Sequence, residues 1–187
     1  MEESKNVEIQ EGTQDVTPSL NQEELSLKME ASRSEQKLPL AVIASLGSAI
    51  VMAILWAVIT VVTEYQIGYM AIAVGFVVGF AVKFAGKGID KIYGIIGAAG
   101  ALFGCVVGNF LSQVGFIALD PEFSLSYFEA LKILLLDMPL TVAIMKESFS
   151  PIDVLFYGIA IYAGYRYSFR KVDWKTTIKL SVYLQID

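Results

Sequence analysis

Between Lys37 and Glu64 the chain carries 26 consecutive residues without a charged side chain. About 20 apolar residues are enough for a helix to cross the hydrocarbon of a bilayer. A helix inside a water-soluble protein would have to be buried on all sides for its whole length, which is unusual. The run therefore predicts a first membrane-spanning helix over residues 39–63, with Pro39 suited to its first turn.

Two further apolar stretches predict a second and a third span. The second covers about residues 66–85, with Lys83 near its end, where a long side chain can extend to the interface. The third covers about residues 92–118 and is uncharged throughout. Gly86 and Gly88 lie between them, so we expect a tight helical hairpin.

Residues 120–150 are less apolar and carry several charges. Ser126 and Glu129 have the spacing of a capping box, which predicts a helix start. Asp137 and Pro139 interrupt the apolar pattern, because proline breaks or kinks a helix. We therefore predict a pair of short helices over about residues 126–146, which either lies at the membrane interface or re-enters the membrane from the same side.

A fourth span is predicted over residues 151–169. Ser150, Pro151 and Asp153 are typical of the N-cap, first and third positions of a helix. Aromatic and basic residues at the other end suit the membrane interface and the headgroups. The predicted fold is thus an all-α integral membrane protein. It has four transmembrane helices with glycine-zipper packing, and the interfacial or re-entrant helical pair lies between the third and fourth spans.

The two ends of the chain differ from this membrane domain, residues 38–170. Residues 1–37 carry nine acidic and four basic side chains and no aromatic residue. Such a composition buries too little apolar surface to fold alone, so a disordered tail is predicted, with a short helix over 21–37 as the alternative. Residues 171–187 form a second tail, and alternating apolar residues over 177–186 are typical of a strand.

The basic residues predict the orientation in the membrane, because lysine and arginine are retained on the cytoplasmic side. Twelve of the fourteen precede the first span, lie in the loop between the second and third spans, or follow the fourth. Only Lys132 and Lys146 fall on the other side. This bias predicts that both termini lie in the cytoplasm, with the protein in the inner (plasma) membrane of the cell. It also disfavours a fifth span, which would place one basic cluster outside.

Glycines recur at helical spacing in the second and third spans. Small residues let membrane helices approach closely and gain dispersion contacts, since the hydrophobic effect does not drive association within lipid. The predicted packing residues are Gly68, Gly75, Gly79, Gly97, Gly100, Gly104 and Gly108. These stripes seat the helices of one chain against each other or, in the second interpretation, face a neighbouring subunit.

Polar side chains at membrane depth are the candidates for a solute pathway. Asn109 and Gln113 lie one turn apart in the third span, and Asp153 lies near the start of the fourth. These three residues predict an outward polar vestibule. The alternative is that the amides only bond between helices and Asp153 only caps its helix. No charged residue lies in the middle of a span, which argues against a proton-coupled carrier.

The sequence offers little catalytic chemistry. It contains no histidine and a single cysteine, Cys105, inside an apolar run. Without histidine the usual general base and metal ligand are missing. Neither a phosphate loop nor a nucleophile elbow is present, and the glycine-rich stretch follows no strand. We therefore expect neither an enzyme nor a cofactor or metal site, and no nucleic-acid partner.

Two segments resemble a known group of proteins. The run Gly68–Lys83 followed by Gly86–Asp90, and the run Phe156–Tyr162 followed by Ser168–Arg170, are similar to segments of small multi-pass bacterial membrane proteins common among Bacteroidetes-like organisms. The resemblance covers about residues 65–170. It implies a bacterial membrane location and no assigned activity.

Two functional hypotheses remain from the sequence. The first is a non-enzymatic assembly or accessory protein that contacts the lipid bilayer and associates with itself or a membrane-protein partner through helix packing, with its tails as docking segments. The second is a small channel or transporter subunit that uses the polar vestibule.

Overall fold

A computed structural model describes residue 30 and residues 33–65 and 68–170. The chain divides into two compact units, residues 1–34 and residues 35–187. Of the first unit only residues 30, 33 and 34 are described, and these are helical and exposed. The predictions for most of the acidic tail and for the strand pattern at 177–186 lie outside the described residues. The helix predicted as an alternative over 21–37 lies partly inside them: residues 30, 33 and 34 are helical, and residues 35–37 are not.

The described part of the second unit is all-helical, as predicted, with no strand. Its six helices are α1 (Leu38–Thr63), α2 (Tyr69–Gly86), α3 (Lys91–Leu119), α4 (Tyr127–Leu136), α5 (Met138–Ser148) and α6 (Pro151–Tyr167).

Three of these helices are long and apolar enough to cross a membrane: α1, α2 and α3. They have 26, 18 and 29 residues. α6 has 17 residues, which gives it a length of about 26 Å at the usual rise of 1.5 Å per residue. The described structure is therefore compatible with a multi-pass membrane protein.

The four long helices form a bundle in which α2 and α3 each contact the other three. Among the described helices, α1 and α6 lie on opposite sides of this pair and do not contact each other. Side chains from α1, α2 and α3 pack in a shared core that includes Trp56, Val74, Val78 and Cys105. The bundle thus buries a narrow stripe on each helix and leaves large apolar side chains on its outer surface.

One end of the bundle, which we call the basic end, joins the start of α1, the α2–α3 turn and the end of α6. The backbone N–H of Lys37 donates to the Gly86 carbonyl at 2.9 Å, and that of Arg170 donates to the Gly88 carbonyl at 2.9 Å. The guanidinium of Arg170 also pairs with the Glu35 carboxylate at 2.8 Å. Three separate parts of the chain are therefore held together at this end.

The opposite end, the hairpin end, is built differently because α1 and α3 extend further than α2 and α6. Gly104 of α3 lies beside both Ala49 of α1 and Val74 of α2. The two helices run in opposite directions, so moving back along α2 from Val74 corresponds to moving forward along α3 from Gly104. The start of α2 is then level with about residue 110 of α3. The remaining residues of α3 then continue for about 13 Å past α2, at 1.5 Å per residue.

The α4–α5 pair packs against this extension of α3. Ala130 and Leu134 of α4 are buried against Val114 of α3. The backbone N–H of Ser126 donates to the Glu129 carboxylate at 2.9 Å, which completes the capping box expected at the start of α4. Asp137 separates the two helices and its carboxylate accepts from the Leu140 N–H at 3.0 Å.

Candidate functional site

Three glycines at the start and in the middle of α2 face α6: Gly68, Gly75 and Gly79. A methyl group added at Gly75 would lie 2.8 Å from the Ala160 Cα, and one added at Gly79 would lie 3.2 Å from the Ala163 carbonyl oxygen. At Gly68 the added atom would meet the ring of Phe156. Glycine is needed at Gly75 and Gly79 because backbone of α6 lies where a side chain would begin.

The glycines of α3 pack against all three of the other long helices. Gly97 faces α6, and an atom added there would lie 3.1 Å from the Gly164 carbonyl carbon. Gly104 lies between α2 and α1, where an added atom would lie 2.8 Å from the Val74 side chain and 3.4 Å from the Ala49 Cα. Gly108 faces α1, where an added atom would lie 3.1 Å from the Trp56 ring. Gly100 likewise faces α1, at Ser45. All seven of the glycines singled out in the sequence thus lie against another helix of the same chain.

Asn109 and Gln113 form a polar chain between α3 and α6. The Asn109 amide donates to the Tyr157 hydroxyl at 3.3 Å, and the Gln113 amide donates to the Asn109 side-chain oxygen at 3.5 Å. The Tyr157 hydroxyl in turn donates to the Cys105 carbonyl at 3.3 Å. Because every member is neutral, this chain exchanges hydrogen bonds without placing a charge between the helices.

Asp153 lies one turn before Tyr157 on α6 and caps that helix. Its carboxylate accepts from the backbone N–H of Ser150 at 2.8 Å. Its exposed fraction is 8%, compared with 1% for Asn109 and 9% for Gln113. The three predicted vestibule residues are therefore largely buried in this structure, and Asn109 is the most deeply buried of them.

Several residues of this region were not singled out from the sequence. Tyr157 and Gly164 belong to α6, whose contacts with α3 could not be inferred before the helix pairing was known. Trp56 and Thr60 lie one turn apart on α1 and are buried, and the indole N–H and the hydroxyl have no hydrogen-bond partner among the described residues. Both residue types occur in apolar helices, so the sequence does not indicate that these two polar groups are buried without a partner.

The chain matches no protein-family model, no curated protein and no solved structure. The resemblance to bacterial multi-pass proteins, and the origin that it implies, therefore stay predictions.

Proposed function

We propose that the protein crosses a membrane four times, with both termini in the cytoplasm. The support for a fourth span is the position of α6, which runs beside α2 from the contact between Phe156 and Gly68 to the contact between Ala163 and Gly79. A membrane crossed by α2 would surround α6 at the same depth. Before Arg166 in the last turn, large apolar side chains such as Val154 and Leu155 are exposed on α6 and suit that environment.

The proposed orientation is supported by the distribution of charge between the two ends. Lys37 and Arg170 are held at the basic end by the hydrogen bonds described above, and Lys87 lies between the two acceptor residues, Gly86 and Gly88. Lysines are sparse at the hairpin end, where Lys132 and Lys146 belong to α4 and α5. Because lysine and arginine are retained in the cytoplasm, the basic end is the inner end. Reporters fused to the two termini should both report the cytoplasm, and reporters on opposite faces would contradict this topology.

We further propose that the protein is a non-enzymatic assembly or accessory subunit of the membrane. The observation that carries this proposal is that the buried glycines and polar side chains serve contacts within the chain. Among the described residues, the surface that remains for other molecules includes the apolar outer face of the four long helices. An assembly formed by this chain would therefore use outward-facing side chains rather than the glycine stripes.

Cysteine crosslinking in native membranes tests the assembly proposal. In a Cys105→Ala background, one outward-facing valine on each long helix is replaced by cysteine in turn: Val51, Val77, Val106 and Val154. A short bismaleimide should join at least one of these to a discrete second protein or copy. Val78→Cys is the matched control, because Val78 is fully buried on α2. If none of the four outward positions exceeds this control, the assembly proposal is wrong.

A second candidate function is a small channel or transporter subunit. The buried chain of Asn109, Gln113 and Tyr157 favours it, because interior polar groups are uncommon in a helix bundle unless they serve packing or transport. Flux of ions and small solutes from liposomes tests this function. Loss of flux in Asn109→Leu but not in Val106→Leu, an outward position on the same helix, would support it. Absence of any flux in the unmodified protein would leave assembly as the function.

A further inference from the structure

Lys83 lies in the last turn of α2, beside two phenylalanine rings of the same helix. Its ammonium nitrogen is 5.8 Å from the centre of the Phe80 ring and 5.9 Å from the centre of the Phe84 ring. The two ring centres are 6.4 Å apart, with an angle of 27° between the ring planes. A cation within about 6 Å of a ring centre is attracted by the negative face of the ring. Lys83 is therefore held beside both rings.

A third ring extends this aromatic surface to α6. The centre of the Tyr167 ring is 5.3 Å from that of Phe80. Tyr167 approaches α2 closely because Gly79 has no side chain, and an atom added at Gly79 would lie 3.0 Å from the Tyr167 Cβ. Phe80 and Tyr167 are each 38% exposed, and Phe84 is 73% exposed. We call this surface the aromatic–basic patch: Phe80, Lys83, Phe84 and Tyr167.

The rings leave the hydrogen-bond donors of Lys83 available. An ammonium group has three N–H donors. Among the described residues, Lys83 forms no ion pair. Two carboxylates of the second unit lie at the basic end, and both have other partners. Glu35 pairs with Arg170. Asp90 accepts from the Gln36 amide at 2.9 Å. An acceptor for Lys83 therefore has to come from another molecule.

The charge of the whole basic end favours an anion. Among the described residues of the second unit, this end has six basic and two acidic side chains. The bases are Lys37, Lys83, Lys87, Lys91, Arg166 and Arg170, and the acids are Glu35 and Asp90. Each lysine or arginine near a membrane surface increases the attraction of that surface for anionic lipids. A ligand that carries a phosphate is therefore favoured over a neutral or cationic one.

The position of the patch selects a phospholipid among phosphate compounds. In the topology proposed above, the end of α2 lies at the inner interface. From Lys83 towards the middle of α2, the outer surface continues with exposed apolar side chains such as Phe80 and Val77. A soluble phosphate compound would match only the ammonium group. A phospholipid matches both parts, because its phosphate lies at the interface and its acyl chains lie beneath it.

We propose that Lys83 binds the phosphate of an anionic phospholipid in the inner leaflet, whose acyl chains lie against Phe80 and Tyr167. The rings hold the ammonium group at the level of the phosphate, so that less side-chain freedom is lost on binding. The proposal rests on the proposed membrane topology, which puts the basic end in the inner leaflet. It does not depend on the assembly or channel function.

Native mass spectrometry of the full-length protein in detergent tests the site. Phosphatidylglycerol and phosphatidylcholine are added at equal concentration, and the complexes with one bound lipid are measured. Phosphatidylglycerol should be retained in at least about threefold excess, because it alone has a net negative charge. Lys83→Gln should lower its retention by about fivefold, since a charge-assisted hydrogen bond is lost. Lys83→Arg should keep most of it, because a guanidinium group also binds phosphate.

Lys91→Gln is the matched control for charge. Lys91 is exposed at the start of α3, at the same end of the bundle, and removing its charge should lower retention by about twofold at most, because exposed charges at a distance are screened. Phe84→Leu tests the rings. It should lower retention by about twofold, because the ammonium group loses one of two supporting ring faces. An unchanged melting temperature in detergent shows that each variant is folded.

Three outcomes would overturn the proposal. Equal retention of the two lipids would mean that lipid charge does not matter. Equal losses in Lys83→Gln and Lys91→Gln would mean that only the total charge of the basic end matters. Displacement of the lipid by inorganic phosphate, but not by chloride at equal ionic strength, would identify a soluble anion as the ligand.

The topology fails in a different way from the site. If reporters placed both termini outside the cell while Lys83→Gln still lowered the retention of phosphatidylglycerol, the inner-leaflet position would be wrong and the phosphate site would stand. If the reporters placed both termini in the cytoplasm and Lys83→Gln had no effect, the topology would stand and the phosphate site would be wrong.

Discussion

The basic half and the hairpin half of the bundle pack by different means. In the basic half, backbone lies against backbone where Gly97 meets Gly164 and where Gly79 meets Ala163. In the hairpin half, α1 and α3 extend past α2 and α6, and the α4–α5 pair packs against α3. Larger side chains such as Trp56, Val61 and Leu134 fill the space between helices there. Contacts between backbones are therefore found in the basic half, where the Tyr93 ring also packs against Gly86, and the hairpin half keeps an apolar groove between α1 and α3 and a polar chain.

The difference shows what each kind of contact allows. Small residues gain many dispersion contacts at short range, but they require one fixed crossing of the two helices. Large side chains tolerate a wider gap, because rotamers can adjust to fill it. Movement is thus expected in the hairpin half, and the basic half is expected to act as the rigid base.

The largest expected effect is the loss of a backbone contact in the basic half. Gly97→Leu should destabilise the bundle by about 3 kcal/mol or more, because a side chain there overlaps the backbone of Gly164 and the helices must separate. The free energy of unfolding in mixed detergent micelles measures this loss. The control is Gly158→Leu on α6, since nothing lies within 4 Å of the added atom at Gly158. If Gly97→Leu and Gly158→Leu were equally stable, close backbone contact would not distinguish the basic half from the hairpin half.

A smaller effect is expected from the polar chain in the hairpin half. Asn109→Leu should cost about 1 kcal/mol, the usual range for hydrogen bonds between membrane helices. Tyr157→Phe should cost a similar amount, because it removes the partner of the same bond. The double variant should lose less than the sum of the two, as expected for residues in contact. Strict additivity would mean that the two side chains do not interact.

The start of α4 should respond to acid. Hydrogen bonds from the Ser126 hydroxyl, at 2.7 Å, and from its backbone N–H hold the pKa of the Glu129 carboxyl below its ordinary value. A pKa that is lower in the folded state stabilises the cap above the unfolded pKa and loses that effect as the pH falls through the folded pKa. Hydrogen exchange of the first α4 amides, corrected for intrinsic rate, should therefore accelerate in acid.

Two variants sharpen the prediction at α4. Glu129→Gln should remove the acid dependence of this exchange. Ser126→Ala should weaken the cap at every pH, by about 1 kcal/mol of local stability. If acid accelerates exchange equally in Glu129→Gln, the capping carboxylate is not the cause.

The smallest effect is expected at the exposed pair of the basic end. The Arg170 guanidinium, which donates to Glu35, holds the pKa of that carboxyl below its ordinary value, with a further contribution from Lys87. The stabilisation should again disappear as the pH falls through the folded pKa. Glu35→Gln should lower the melting temperature only slightly, because exposed ion pairs are screened by water and salt. Glu122→Gln, an exposed control at the hairpin end, should cause no change, and a large loss in Glu35→Gln would show that the basic end is less rigid than inferred.

Local sequence patterns were sufficient to predict the helices of the described region. The uncharged run from Leu38 to Thr63 and the cap residues Ser126 and Ser150 mark helix starts and lengths, since these depend on neighbours in the chain. Local sequence patterns do not show which neighbouring helix each glycine faces. Gly97 and Gly100 are only three residues apart, yet they face α6 and α1 respectively.

The polar residues illustrate the same limit. Asn109 and Gln113 are conspicuous as polar residues in an apolar run, but the Tyr157 hydroxyl that accepts from Asn109 is 48 residues away and belongs to another helix. The burial of all three depends on where α6 lies.

The amino-acid order alone determined that the described chain is helical and rich in runs suited to lipid, because hydropathy and capping act between residues that are close in sequence. The tertiary structure decided which helix each glycine faces, how far α1 and α3 extend past their neighbours, and that a groove remains between them. These features depend on the relative lengths and crossings of helices distant in sequence, and no local pattern records them.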